Sequence, residues 1–94
     1  MTRLYFLYMD GCPACEQAKP ELAKFQRSSA ARGIEVVPVD LMKAKWTFKG
    51  WSPDATPTYV YEKIGFPRVR HEGGLTKDRV VEFLAMARSM VGDR

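Results

Sequence analysis

Hydrophobic and polar positions alternate between two periods along this chain, and the switches mark its elements. Leu4-Tyr5-Phe6-Leu7-Tyr8-Met9 is apolar without a break, as in a buried strand. Asp10-Gly11 ends it, and from Pro13 to about Arg32 the period is helical. Cys15, Ala18, Leu22, Phe25 and Ser29 fall on one stripe, with Glu16, Glu21, Lys24 and Arg27 away from it. Pro20 removes one backbone donor inside this helix and predicts a kink, and Gly33 is its natural stop. Ile34-Glu35-Val36-Val37-Pro38-Val39-Asp40 reads as a second strand, parallel to the first because a helical crossover joins them. Pro38 predicts that one side of it lacks a neighbour.

Leu41 to Gly50 is a weaker helical stretch with Ala44 and Phe48 inward, flanked by Trp46 and Trp51. After the turn formers of Trp51–Ala55, Thr58–Glu62 reads as a strand. Lys63–Pro67 is then a turn, and Arg68–His71 a hairpin partner with alternating exposure. Gly73-Gly74 breaks the chain before a last helix. Thr76 is its N-cap, Asp78 lies in its first turn, and Val80, Val81, Leu84, Ala87 and Val91 form the inward stripe. The order β-α-β-α-β-β-α predicts an α/β fold with a four-stranded sheet and three helices on its two faces.

The 94 residues suffice for one domain, 1–94, and its modest core. Apolar residues at 46% and charged residues at 28% are ordinary for a globular chain, and no apolar run reaches the roughly 20 residues of a membrane helix. The first residues enter a strand pattern with no separate leader, so the expected address is cytoplasmic. A formal charge of +4 is mild. Lys43, Lys45, Lys49, Arg68 and Arg70 read as a solvated basic surface, and without a nucleic-acid module no nucleic-acid partner is expected.

The candidate chemistry is Cys12-Pro13-Ala14-Cys15, where the first strand hands over to the first helix. Pro13 suits the first helical position, which places both thiols at a helix amino terminus. Unpaired backbone N–H groups and the positive end of the helix dipole stabilise a thiolate there. Such cysteines ionise between about 3.5 and 7.5 instead of near 8.5. The three-residue offset puts Cys12 and Cys15 close enough to bond reversibly. A purely stabilising disulfide is disfavoured, since closing so short a loop removes little chain entropy. A structural zinc needs four ligands, and the chain offers these two cysteines and the distant His71, itself expected as an exposed strand residue. No metal is expected.

Three separated stretches resemble the thioredoxin family. They are Cys12-Pro13-Ala14-Cys15 with Pro20 beyond it, Ala55-Thr56-Pro57-Thr58 leading into an apolar strand, and Gly73-Gly74 leading into the last helix. The resemblance implies a thioredoxin-like fold and a disulfide reductase with Cys12 as nucleophile and Cys15 as resolving thiol. It implies a cis Pro57 beside the sulfurs, Thr56 pairing with substrate backbone, and Gly11, Pro13, Gly73 and Gly74 along the substrate groove. It also implies disulfide-containing protein substrates, no bound cofactor, and recharging by thioredoxin reductase with NADPH; a monomer is the default expectation. Two departures matter. Proline directly after the first cysteine is more like glutaredoxins, which use glutathione. Phe6 and Val36 stand where thioredoxins bury an aspartate and a lysine, leaving Asp10, Glu16 or water to take the proton of Cys15. A different reading is a binding subunit of this fold with idle thiols. Trp46 or Trp51 is placed either in the groove or against the second helix.

Overall fold

Strand β1 (Thr2–Tyr8) lies inside the sheet, with a neighbour on each side. The computed structural model describes residues 2–43, 54–66 and 68–90. Strand β2 (Ile34–Asp40) pairs with β1 in parallel, and β3 (Thr58–Lys63) pairs with it antiparallel. Strand β4 (Val69–Glu72) adds antiparallel to β3, giving the mixed order β2-β1-β3-β4. The parallel pair needs a crossover, which helix α1 (Pro13–Gln26) supplies. Pro38 sits opposite Phe6 on the outer strand β2, where its missing N–H breaks no second ladder.

Leu4 and Phe6 of β1 and Tyr59 and Tyr61 of β3 point to one face of the sheet. There they pack with Ala18, Leu22 and Phe25 of α1 and with Val80, Phe83, Leu84 and Ala87 of helix α2 (Lys77–Met90). Both described helices therefore share one face. The predicted second helix falls almost wholly outside the described residues, together with Trp46 and Trp51; Leu41–Lys43 alone is described, as a turn.

Helix α1 runs through Pro20 and ends at Gln26, short of the predicted Arg32. The Ser28 hydroxyl donates to the Phe25 carbonyl at 2.6 Å, and the Ser28 N–H reaches the same oxygen at 2.9 Å. That local competition ends the helix, and a 3-10 turn over Ser29–Ala31 follows. At α2, Thr76 caps as the pattern predicts, its Oγ1 accepting the Arg79 N–H at 3.3 Å. No described helix is long and apolar enough to cross a membrane.

Glu62 is the one buried carboxylate among the described residues. It accepts from the Tyr5 hydroxyl at 3.0 Å and from Arg3 at 3.4 Å, and it is ion-paired with Arg68. Burial pushes its ionisation up, but the hydrogen bonds from Arg68 and Tyr5 outweigh that and hold it below the ordinary carboxylate range.

Candidate functional site

The site begins where β1 runs out. Gly11 turns the chain with a φ of 75°, a left-handed conformation that a side chain resists. Cys12 follows in an extended conformation as the N-cap of α1, with Pro13 at the head of the helix. Its Sγ accepts the Cys15 N–H at 3.1 Å, so sulfur does the work usually given to a serine or aspartate oxygen. Cys15, on the first turn, is completely buried at 0% exposure, whereas Cys12 is half-buried. The two form a disulfide with their Cα atoms 5.2 Å apart.

The loop entering β3 supplies the second wall. The Thr56–Pro57 peptide bond is cis, and Pro57 is buried. The Thr56 hydroxyl donates to Cys12 Sγ at 3.3 Å, and the Thr56 carbonyl oxygen lies 3.5 Å from the same sulfur. Thr58 closes the turn by donating its hydroxyl to the Ala55 carbonyl at 2.7 Å.

The segment before α2 is the third wall, and alternate backbone donors tie it down. The Gly73 N–H meets the Pro57 carbonyl at 2.8 Å, the Leu75 N–H meets the Tyr59 hydroxyl at 3.1 Å, and the Lys77 N–H meets Glu21 Oε1 at 2.9 Å. Gly73 has a φ of 105°, again outside the ordinary range of a side-chain-bearing residue. A Cβ on Gly74 would stand 3.4 Å from the Ala14 carbonyl and 3.7 Å from Ala18, so this backbone lies close against the first turns of α1. Through these contacts Cys12, Cys15, Thr56, Pro57, Gly73 and Gly74 come together, with Gly11 and Pro13 exposed at the rim.

Two residues that the sequence reading passed over hold this wall. Tyr59 reads as an ordinary core aromatic, yet its hydroxyl anchors Leu75; burial first raises its ionisation, and the Leu75 N–H partly offsets that. Glu21 reads as a solvent-facing charge, yet it reaches across to the start of α2. The Lys77 N–H first and Lys24 second hold its carboxyl below the ordinary range. No spacing rule links Glu21 to residues more than fifty positions away. His71 also departs from expectation. It is half-buried, its ring 6.3 Å from Tyr59 and 5.9 Å from Phe83, because its side of β4 faces α2.

On β1, the strand that leads to the site, Phe6 is buried in an aromatic cluster, its ring 5.9 Å from Tyr8 and 5.3 Å from Tyr59. The only buried polar residues among those described are Thr58 and Glu62. Asp10 and Glu16 are exposed near the cysteines in sequence, and Glu16 is paired with Lys19 at 3.0 Å. No group of three His, Cys, Asp or Glu side chains that a metal ion requires occurs among the described residues.

No protein-family model matches the chain, and no curated protein matches it in sequence. Solved structures match it closely in shape. A chloroplastic thioredoxin z aligns with a TM-score of 0.76 at 21% identity, covering 95% of this chain and 80% of its own. Thioredoxin-2, described as a component of the malaria parasite's protein secretion machinery, aligns at 0.78 and 20%, covering 92% and 82%. The thioredoxin of Fasciola hepatica aligns at 0.75 and 20%, covering 92% and 80%. The fold is that of the thioredoxins.

Proposed function

We propose that this chain is a thiol–disulfide oxidoreductase that reduces disulfides in other proteins. One observation carries the reading: Cys12 Sγ caps a helix and takes two donors, the Cys15 N–H and the Thr56 hydroxyl, with Cys15 buried directly behind it. Both donors favour negative charge on that sulfur, as does the helix dipole. In the reduced protein the Cys12 thiolate attacks one sulfur of a substrate disulfide. The substrate S–S bond breaks, and the departing sulfur leaves with the electron pair and takes up a proton. Cys15 then loses its proton and attacks Cys12 of the mixed disulfide, expelling the second substrate sulfur. Two electrons have passed to the substrate, and the Cys12–Cys15 disulfide has formed.

An external reductant returns those electrons: a thioredoxin reductase drawing on NADPH, in a cytoplasmic setting where the pair is kept reduced. The Thr56 backbone, the bend at Pro57 and the Gly73-Gly74 edge form the groove along which an extended substrate strand pairs. Proline directly after Cys12 favours a second reading, with glutathione as reductant.

The test is turnover of a protein disulfide with NADPH and either thioredoxin reductase or glutathione plus its reductase. Efficient turnover through the first system supports the proposal, and turnover through glutathione alone selects the second reading. A protein inactive in both, or one whose biological function survives replacement of both cysteines by serine, is a binding subunit instead.

A further inference from the structure

Beside the dithiol lies a cleft of about 240 Å³ between α1 and the segment leading into α2. Ala14, Ala18 and Leu75 give it apolar walls, Gly74 leaves one side open at the backbone, and Glu21 stands among its polar lining. Among the described residues no lysine or arginine lines it. Ala14 sits between the two cysteines, and Gly74 follows the residue bonded to Pro57, so the cleft continues directly from the groove.

We infer that this cleft is a specificity subsite for a lysine or arginine side chain flanking the substrate's cysteine. The inference rests on the dithiol reading and adds a substrate preference to it. Its shape suits a hydrocarbon stem ending in a cation, which lays its methylenes along apolar walls and carries its charge to the far end. Glu21 is ionised there, and among the described residues its carboxylate has two partners. Oε1 accepts the Lys77 N–H at 2.9 Å and Oε2 pairs with Lys24 at 2.9 Å, whereas a carboxylate offers about four acceptor positions. Lys24 is 57% exposed, so its hold on Oε2 is screened and readily shared with an incoming cation.

The chain's own charge makes the inference sharp. With a formal net charge of +4, long-range attraction alone favours acidic substrates. The subsite demands the opposite order. The experiment takes the pre-reduced full chain and a set of disulfide-linked peptides carrying Lys, Leu or Glu up to four residues from the cysteine. Second-order rate constants of reduction are measured on the wild type and on Glu21→Gln, which keeps an acceptor for the Lys77 N–H. The Lys peptide is reduced about fivefold faster than the Leu peptide at its best position, and the Glu peptide slowest. In Glu21→Gln the Lys-to-Leu ratio falls to about one. Equal rates, a Glu preference, or a Lys-to-Leu ratio unchanged by the substitution overturns the subsite and leaves the dithiol reading intact. Reduction of none of the peptides overturns both.

Discussion

Thr56→Val tests the electrostatics at Cys12 Sγ, the sulfur proposed to attack, with little change of shape. In the structure Cys12 Sγ takes one backbone donor at 3.1 Å and one hydroxyl donor at 3.3 Å, so the substitution removes one of two. A hydrogen bond to a charged group contributes about 1.5–3 kcal/mol. Sulfur is a diffuse acceptor and Cys12 is half-buried, so we take the lower end, about 1.5 kcal/mol, or roughly one pH unit in the ionisation of Cys12. The pH midpoint for alkylation of reduced protein by iodoacetamide therefore rises by about one unit in Thr56→Val and returns in Thr56→Ser. Below the midpoint the thiolate fraction falls about tenfold. A more basic thiolate is also intrinsically more nucleophilic, with a Brønsted slope of about 0.4–0.5, so attack on a disulfide slows only about threefold. The reduced form loses the same stabilisation, and the reduction potential moves about 30 mV more negative. An unchanged alkylation midpoint, or a shift in Thr56→Ser as large as in Thr56→Val, refutes the reasoning. In that event the hydroxyl contact is incidental, and the helix terminus alone sets the reactivity.

Other perturbations probe the frame around the sulfurs. Glu62 ionises below its ordinary range in the folded chain, so its stabilising contribution is complete above the unfolded value of about 4.3 and is lost as pH falls through the folded value. Glu62→Gln costs about 1–3 kcal/mol at pH 7 and flattens the acid limb, read from urea midpoints between pH 7 and pH 3. Gly73→Ala forces a side chain into a φ of 105° and costs about 1–3 kcal/mol, whereas Gly74→Ala meets only ordinary contacts and changes stability by less than about 0.5 kcal/mol in the same measurement. Tyr59→Phe leaves the Leu75 N–H without its partner at a cost of about 1–2 kcal/mol, and hydrogen exchange at Leu75 accelerates more than at Val60, in the centre of β3.

The parts of the site that are local in sequence were legible; those made by long-range side chains were not. Strand β2 falls where its β-branched run placed it, and the stripe Cys15, Ala18, Leu22, Phe25 is the buried face of α1. Thr76 caps α2 because a cap needs only its own turn. The end of α1 is not legible, because the apolar period continues past Gln26 while Ser28 competes for the backbone, and periodicity carries no information about such competition. Phe83 reads as a packing aromatic beside the stripe of Val80, Leu84 and Ala87, and it is buried, its ring 5.9 Å from His71 of β4. Glu21 and Tyr59 belong to contacts spanning 56 and 16 residues, and nothing in either residue's neighbourhood distinguishes it from an ordinary surface charge or core aromatic.

Phe6 shows what the chain gains and loses by its composition under the site. The thioredoxin resemblance puts an acidic group at this place on the central strand, where a buried carboxylate takes the proton of the resolving thiol at some cost in desolvation. Here a ring fills the place, fully buried and packed against Tyr8 and Tyr59, and that cost disappears. Tyr59 packs on Phe6, and its hydroxyl accepts the Leu75 N–H, so one run of contacts links Phe6 to the segment that follows Gly73-Gly74. On the mechanism proposed above, the Cys15 proton then leaves toward the rim, where Asp10 and Glu16 are exposed. On that proposal, Phe6→Asp is expected to supply a buried acceptor for the Cys15 proton at the cost of desolvating a carboxylate, read as faster resolution of the mixed disulfide and a lower urea midpoint.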